Sequence, residues 1–298
     1  MDTPVALFAF NRPDTTARVF TAIRGARPSK LFLICDGPRP ESPFECDAVR
    51  ALLESVDWSC EVTRNFASEN MGCRRRMISG ISWVFSQVPE AIILEDDCLP
   101  SPSFFRFASE ILSRYHGDPR VMMVAGGNGA FQSTEHEYSY TFARSVGIWG
   151  WATWARAWQS YDEYISEWPY LRETPWLWEL LNDKRQVEFW RDMFDRVYAG
   201  EGTWDWQWVF SIWSKNGLSV IPSRNLVNNI GFAPGSSSRA TEEIEWIRET
   251  VAIPLCEIEF PLTHPTQIRP NRNHDAIIFD KAFAPQLSAP RPQTETQS

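Results

Sequence analysis

Residues 91–97 read Ala-Ile-Ile-Leu-Glu-Asp-Asp, four apolar residues running without a break into three carboxylates. Ala91 to Leu94 has the length and composition of a strand buried on both faces. Because no Lys or Arg intervenes, the acids stand at the strand's carboxyl end, where α/β sheets bind their ligands. Carboxylates this close repel one another, and some take up protons unless a cation neutralises them. Mn²⁺ or Mg²⁺ meets that need with one or two carboxylates, water and phosphate oxygens. The plainer reading of Glu95-Asp96-Asp97 is a solvated loop or a charge cluster at the start of a helix.

Outward from this run, the first 125 residues alternate between strand and helix patterns. Val5 to Phe10, Lys30 to Cys35, Trp58 to Thr63 and Val121 to Ala125 read as further strands. Residues 44–55, 72–87 and 103–115 read as helices, the last with Phe104, Phe107, Ala108, Ile111 and Leu112 on one stripe. Asp14 or Thr15 is the expected cap of a helix after the first strand. This alternation predicts βαβ units and a mostly parallel sheet flanked by helices. Beyond residue 138 the pattern changes. Tyr138 to Arg144 is strand-like. Residues 151–161, 175–181, 187–198 and 204–215 read as helices, and 218–221 and 226–230 as short strands. Gly231 to Thr241 has a mobile-loop composition, and the chain from Ala284 is rich in Pro, Gln and Ser and expected to be disordered.

Composition narrows the function. The chain has 298 residues, 43% of them hydrophobic, and a formal charge of -9. An acidic surface argues against nucleic acid and against anionic lipid as partners. None of the six cysteines forms a CxxC pair and no two of the four histidines lie one helical turn apart, so a zinc site is not expected. The N-terminus lacks the pattern of a signal peptide, and no window offers about 18 uninterrupted apolar residues. A cytoplasmic location follows as the simplest expectation, with the cysteines as small buried hydrophobes. The unusual figure is tryptophan: of 15, twelve lie between Trp149 and Trp213. Trp204, Trp208 and Ile212 fit one helical stripe. About two thirds of the twelve are expected to pack as core, leaving the rest to line a groove, since indole faces stack on the C–H faces of sugars.

The full run ILEDDCLPSPSFFRF resembles the acidic metal motif of GT-A glycosyltransferases, closest to the form in the N-acetylglucosaminyltransferase I-like group. The resemblance implies that Asp97 ligates the metal, that Asp96 contacts the ribose or the metal's waters, and that Glu95 contacts donor-sugar hydroxyls. FAFNRPDTTARVF and ICDGPR are similar to the first and second strands of that fold. They imply nucleotide contacts at Asn11 and Arg12 and a uracil N–H accepted by Asp36, although Asp-Gly-Pro is also good turn chemistry. NFASENMGCRRRMISGISWVF resembles a segment of glycosyltransferase family 2 in which Asn-x-Gly opens a helix. Arg74 and Arg75 then lie near a helix N-terminus that favours phosphate.

GIWGW and GTWDWQWVFSIW are similar to segments of the first group that meet donor and acceptor. They imply that Asp205 is the catalytic base and that Trp149, Trp151, Trp204 and Trp206 contact the acceptor. Asp205 is followed by Trp206 rather than by a second Asp, and Ser236-Ser237-Ser238 stands where metal-dependent relatives often carry a histidine. A first-turn Asp that merely stabilises its helix is the plainer role for Asp205, and Asp162, Glu163 and Glu167 are rival bases. The expectation is one GT-A-type domain over 1–283, with a nucleotide-sugar half (1–127) and an acceptor half (128–283). Its implied activity is inverting, metal-dependent transfer from a nucleotide diphosphate sugar, UDP-linked, to a glycan or lipid-linked acceptor, with peripheral membrane association possible in principle. A sugar nucleotidyltransferase and a non-catalytic carbohydrate-binding protein are the competing classes. The former normally has a Gly-rich loop where FAFNRPD stands, and the latter has no need of the acidic triplet.

Overall fold

Alternation along the first strand sets the architecture. In β1 (Val5–Ala9), Val5, Leu7 and Ala9 point into one apolar cluster, while Ala6 and Phe8 point into another on the opposite face. Every residue of β1 is buried, so helices must cover both faces. The computed structural model describes residues 1–39, 43–129, 137–232 and 252–285. On one face lie α1 (Pro13–Ala26), α2 (Pro43–Leu53) and α4 (Pro102–Arg114). On the other lie α3 (Cys73–Phe85), α5 (Ala155–Trp158), α6 (Trp168–Leu171), α7 (Trp176–Leu181), α8 (Lys184–Tyr198) and α9 (Trp204–Ser214). Burying one Val, Leu, Ile or Phe side chain stabilises by roughly 1.5–3 kcal/mol, and both clusters are built mainly from such residues.

The remaining strands are β2 (Lys30–Cys35), β3 (Glu61–Phe66), β4 (Glu90–Glu95), β5 (Cys98–Pro100), β6 (Val121–Ala125), β7 (Tyr140–Ala143), β8 (Trp151–Trp154), β9 (Leu218–Pro222) and β10 (Val227–Asn229). The main sheet runs β3-β2-β1-β4-β8-β6-β9-β7, with β5 and β10 forming a separate antiparallel pair. β1 pairs in parallel with both β2 and β4, whereas β8 and β7 run against their neighbours. The fold class is therefore the expected one, α/β with a mostly parallel central sheet flanked by helices. The chain proceeds outward from β1 to β3 and then returns to β1's other side. The switch point lies between β1 and β4, where α/β sheets hold ligands.

Several local expectations are corrected. Residues 151–154 form β8, a central strand, rather than the start of a helix; Ile93 of β4 faces Trp151. An unbroken buried run gives no period to choose by. The third strand starts at Glu61, because the Trp58 indole turns inward and donates to the Pro28 carbonyl at 2.9 Å. Helix α1 has no side-chain cap. It begins at Pro13, which occupies the first helical position, and Asp14 lies inside the first turn. α10 (Arg272–Ile278), with the π-helical turn Phe279–Phe283 after it, had no sequence signal strong enough to find it. Helical geometry continues through residue 285, so the onset of the expected disordered tail at Ala284 is too early, and the rest of that tail lies outside the described residues. The loop expected over 231–241 lies outside them beyond Phe232.

Candidate active site

β1 and β4 place their following residues side by side, with Phe8 opposite Glu95. The consequence is direct contact between Arg12 and the triplet. The Arg12 guanidinium pairs with Asp97 Oδ2 at 2.8 Å and with Asp96 Oδ1. The Phe10 N–H donates to Asp96 Oδ2 at 3.0 Å. Asp96 and Asp97 are buried, and Glu95 is half-buried. Glu95 makes no ion pair among the described residues.

Desolvation raises the Glu95 pKa well above the carboxylate range, and repulsion from Asp97 and Asp96 adds to it. Asp96 is pushed up to about 6 by desolvation; Arg12 pulls against that shift. For Arg12, Asp96 and Asp97 outweigh the desolvation that would release its proton. With Glu95 protonated, Asp96 and Asp97 against one guanidinium leave one negative charge in excess, and a nearby cation that ionised Glu95 would make it two. The donor set is all oxygen, which suits a hard cation. Among the described residues no group of three or more His, Cys, Asp or Glu is arranged to hold a metal ion. In chemistry the donor set thus suits such an ion, while Arg12 and the Phe10 N–H engage both Asp96 oxygens and Asp97 Oδ2.

A strap crosses this cleft. β10 pairs with β5, which directly follows the triplet, and the Ile230 N–H donates to the Asp97 carbonyl at 2.7 Å. A Cβ on residue 231 would collide with Asp97 Oδ2, so the backbone approaches the carboxylate only as Gly231. Sequence reasoning had placed Gly231 only at the edge of a loop. Cys73, at the start of α3, is the other position it missed. The residue is accessible, yet its thiol sits among the acids. Desolvation first, then Glu95, Asp205 and Asp97, pushes its pKa to about 12, so it is not a nucleophile near neutral pH. Nothing in the segment Met71-Gly72-Cys73 signals that placement.

Asp205 is in the first turn of α9 and accepts from the Thr203 hydroxyl. Desolvation raises its pKa to about 6 against two backbone hydrogen bonds that lower it. The Asp205 charge contributes to the raised pKa values of both Glu95 and Cys73, so the two acidic centres lie within electrostatic reach of each other. Of the rival bases, Asp162 accepts from the backbone N–H groups of Tyr164 and Ser166, Glu163 pairs with Arg74, and Glu167 pairs with Lys215 at 3.5 Å.

Other expected contacts are redirected. Asp36 is buried, and its carboxylate accepts from the N–H groups of Gly37, Met71 and Gly72 and from the Asn70 amide. Four donors fill the acceptor capacity of a carboxylate, so Asp36 fixes the turn before α3 and has no lone pair left for a base. Arg74 reaches Glu163 and the Glu163 carbonyl, tying α3 to the second half. Arg75 is exposed, and Arg76 is buried against Asn65. Eight of the twelve clustered tryptophans are buried, Trp151 and Trp204 among them, which corrects their assignment to the acceptor. These two stack on each other with centroids 5.7 Å apart, and a ring enclosed on both faces cannot receive a sugar. Trp149 and Trp206 are half-buried and line a cavity together with Asp205. Asn11 is half-buried beside Arg12.

No protein-family model matches the chain, and no curated protein matches it. Among solved structures it is similar to a mannosyltransferase from Pyrobaculum calidifontis in complex with GDP-Man and Mn²⁺, at 12% identity and TM-score 0.35, covering 51% of this chain and 45% of that one. The match thus spans less than half of the mannosyltransferase. An active-site mutant of LgtC matches at 9% identity and TM-score 0.39 over 98% of both chains. A UTP-bound UGPase from Acinetobacter baumannii matches at 9% and 0.38, over 84% of this chain and 92% of that one. Identities and TM-scores this low carry no weight for activity, which has to be argued from this chain's own residues. Among those described, no helix is long and apolar enough to cross a membrane.

Proposed function

We propose that the chain is a glycosyltransferase that moves a sugar from a nucleotide diphosphate sugar, UDP-linked, to a hydroxyl of a glycan or lipid-linked acceptor, with inversion. The observation that supports this reading is a pair of unlike acidic centres in electrostatic reach of each other: a desolvated triplet paired with a single guanidinium, and a separate carboxylate with a raised pKa.

Each centre suits one half of the displacement. Asp97 and Asp96 would hold a divalent ion, which supplies charge neutralisation for the departing diphosphate. Arg12 sits against both acids and can neutralise a phosphate oxygen beside them. Glu95, half-buried and without an ion pair among the described residues, would accept from donor-sugar hydroxyls. Asp205 takes the proton of the acceptor hydroxyl as that oxygen attacks the anomeric carbon. Its raised pKa makes it a better base while leaving it mostly ionised above pH 6. The strap at Gly231 limits water above the carboxylates. A nucleotidyltransferase gains no comparable support, because α1 begins at Pro13 and leaves no long phosphate-cradling loop after β1.

The test is a panel of nucleotide diphosphate sugars scored by thermal shift with and without Mn²⁺, since a ligand that binds only the native state raises its stability. A shift that requires both nucleotide and Mn²⁺, followed by release of nucleoside diphosphate on adding acceptor, is expected. Release of pyrophosphate from a nucleoside triphosphate would replace this reading with the nucleotidyltransferase.

A further inference from the structure

Next to Asp205 lies a cavity of about 320 Å³, within the size range of small-molecule sites. It is enclosed by α8, α9, the 145–149 segment, β10 and the π-helical turn. Val146, Ile148, Trp190, Val209, Trp213 and Phe283 supply much of its wall. Polar groups border it at Ser145, Lys281 and three amides, and the amides spend part of their capacity on the protein: Asn225 donates to Asn228, and the Asn229 oxygen accepts from the Gly231 N–H at 2.8 Å. A sugar ring carries a hydroxyl on most carbons, and each one buried without a partner costs free energy. This wall would leave several unpartnered, whereas a hydrocarbon needs none.

We propose that this cavity takes the hydrocarbon part of the acceptor, a ring or the first few carbons of a chain attached beside the attacking hydroxyl. The site then selects amphiphilic acceptors over free sugars. This deepens the transferase reading and rests on it only for the role of Asp205. The hydroxyl sits by Asp205 at the cavity wall, and Trp206, which packs against Trp190 and Phe283, separates it from the apolar interior. The chain beyond residue 285 suits the cavity poorly, because Leu287 is its one large aliphatic residue and it has no aromatic.

The experiment uses the full chain and follows tryptophan fluorescence with methyl, phenyl and octyl glycosides of one sugar, below micelle-forming concentrations, each with and without UDP and Mn²⁺. The phenyl or octyl compound is expected to bind at least about tenfold more tightly than the methyl compound, the effect of roughly two buried methylene groups. Preference for phenyl assigns a ring, and preference for octyl assigns a chain. Ile148→Trp, which fills the half-buried rim, should abolish the preference and keep the UDP–Mn²⁺ thermal shift. If Ile148→Trp fails to fold, Val209→Ala should move the preference toward the longer compound. Equal affinity for all three glycosides, or a preference that survives Ile148→Trp, overturns the proposal. So does a preference that emerges only when Ile244, Trp246 and Ile247 are all changed to Ser, which would assign the cavity to that stretch of chain. Nucleotide binding without a hydrocarbon preference removes this inference alone. A hydrocarbon preference without nucleotide binding leaves the cavity assignment standing and removes the transferase.

Discussion

Strands β4 and β8 lie side by side, yet they meet the loss of water in opposite ways. β4 runs into Glu95 and Asp96, whose carboxyls are pushed toward protonation by the same burial that stabilises Ile92 and Ile93. β8 begins at Trp151, which is fully buried and meets Trp158, Trp204 and Trp208 within 6.4 Å. Desolvation raises the free energy of the first group and lowers that of the second. A charged residue kept at a buried strand end therefore points to a ligand, whereas a buried aromatic is already explained by its neighbours.

The sharpest way to break this contrast is Asp205→Asn. Turnover should drop by about 10²–10⁴, the range for a lost general base, while the UDP–Mn²⁺ thermal shift is retained. Asp97→Asn should do the reverse and remove the Mn²⁺-dependent shift. Equal loss of nucleotide binding in both variants would merge the two centres into one. Next in size is a pair within the aromatic layer. Trp204→Ala should cost about 3–5 kcal/mol by chemical denaturation, as expected for a buried tryptophan. Trp206→Ala, at the cavity wall, should cost much less and instead weaken acceptor binding. If both cost the same, the distinction between enclosed and cavity-lining rings fails.

Legibility from sequence follows the same division. The strand run announces the sheet, and its acids mark a candidate site, because a charge following four buried apolar residues has few structural uses. Asp205 stands out in the sequence through Trp204 and Trp206 on either side, and its role as base rests on the proposal. Trp151 and Trp204 misled, since composition reports that indoles are abundant but not which faces are covered. Asp36 misled for a related reason: a strand-end Asp followed by Gly can serve a ligand or a turn, and only the four donors from residues 37 and 70–72 decide it. Asp36→Ala should accordingly cost about 1–3 kcal/mol of stability, as for buried donors left unpaired. The preference among UDP, GDP and CDP should not change; a changed preference would restore Asp36 to the nucleotide.

The smallest effect is a dependence on pH, in which stability and activity move in opposite directions. Asp205 has an ordinary pKa of 3.8 and a folded value of about 6. Between those values the native state binds more protons than the unfolded one, so stability falls as pH rises. The contribution is fully present below 3.8 and is lost as pH passes through about 6. Its size is on the order of 2 kcal/mol after discounting for the solvent-facing edge of the side chain. Activity needs the ionised carboxylate and should climb through the same window. Asp96 also titrates near 6, so the measurement is the difference between wild type and Asp205→Asn in midpoint denaturant concentration from pH 4 to pH 8. The variant should gain on the wild type as pH rises and hold that gain at pH 8. A difference that stays flat across the window would mean that Asp205 is solvated in the folded protein, and that its place beside the apolar cavity does not tune it as a base.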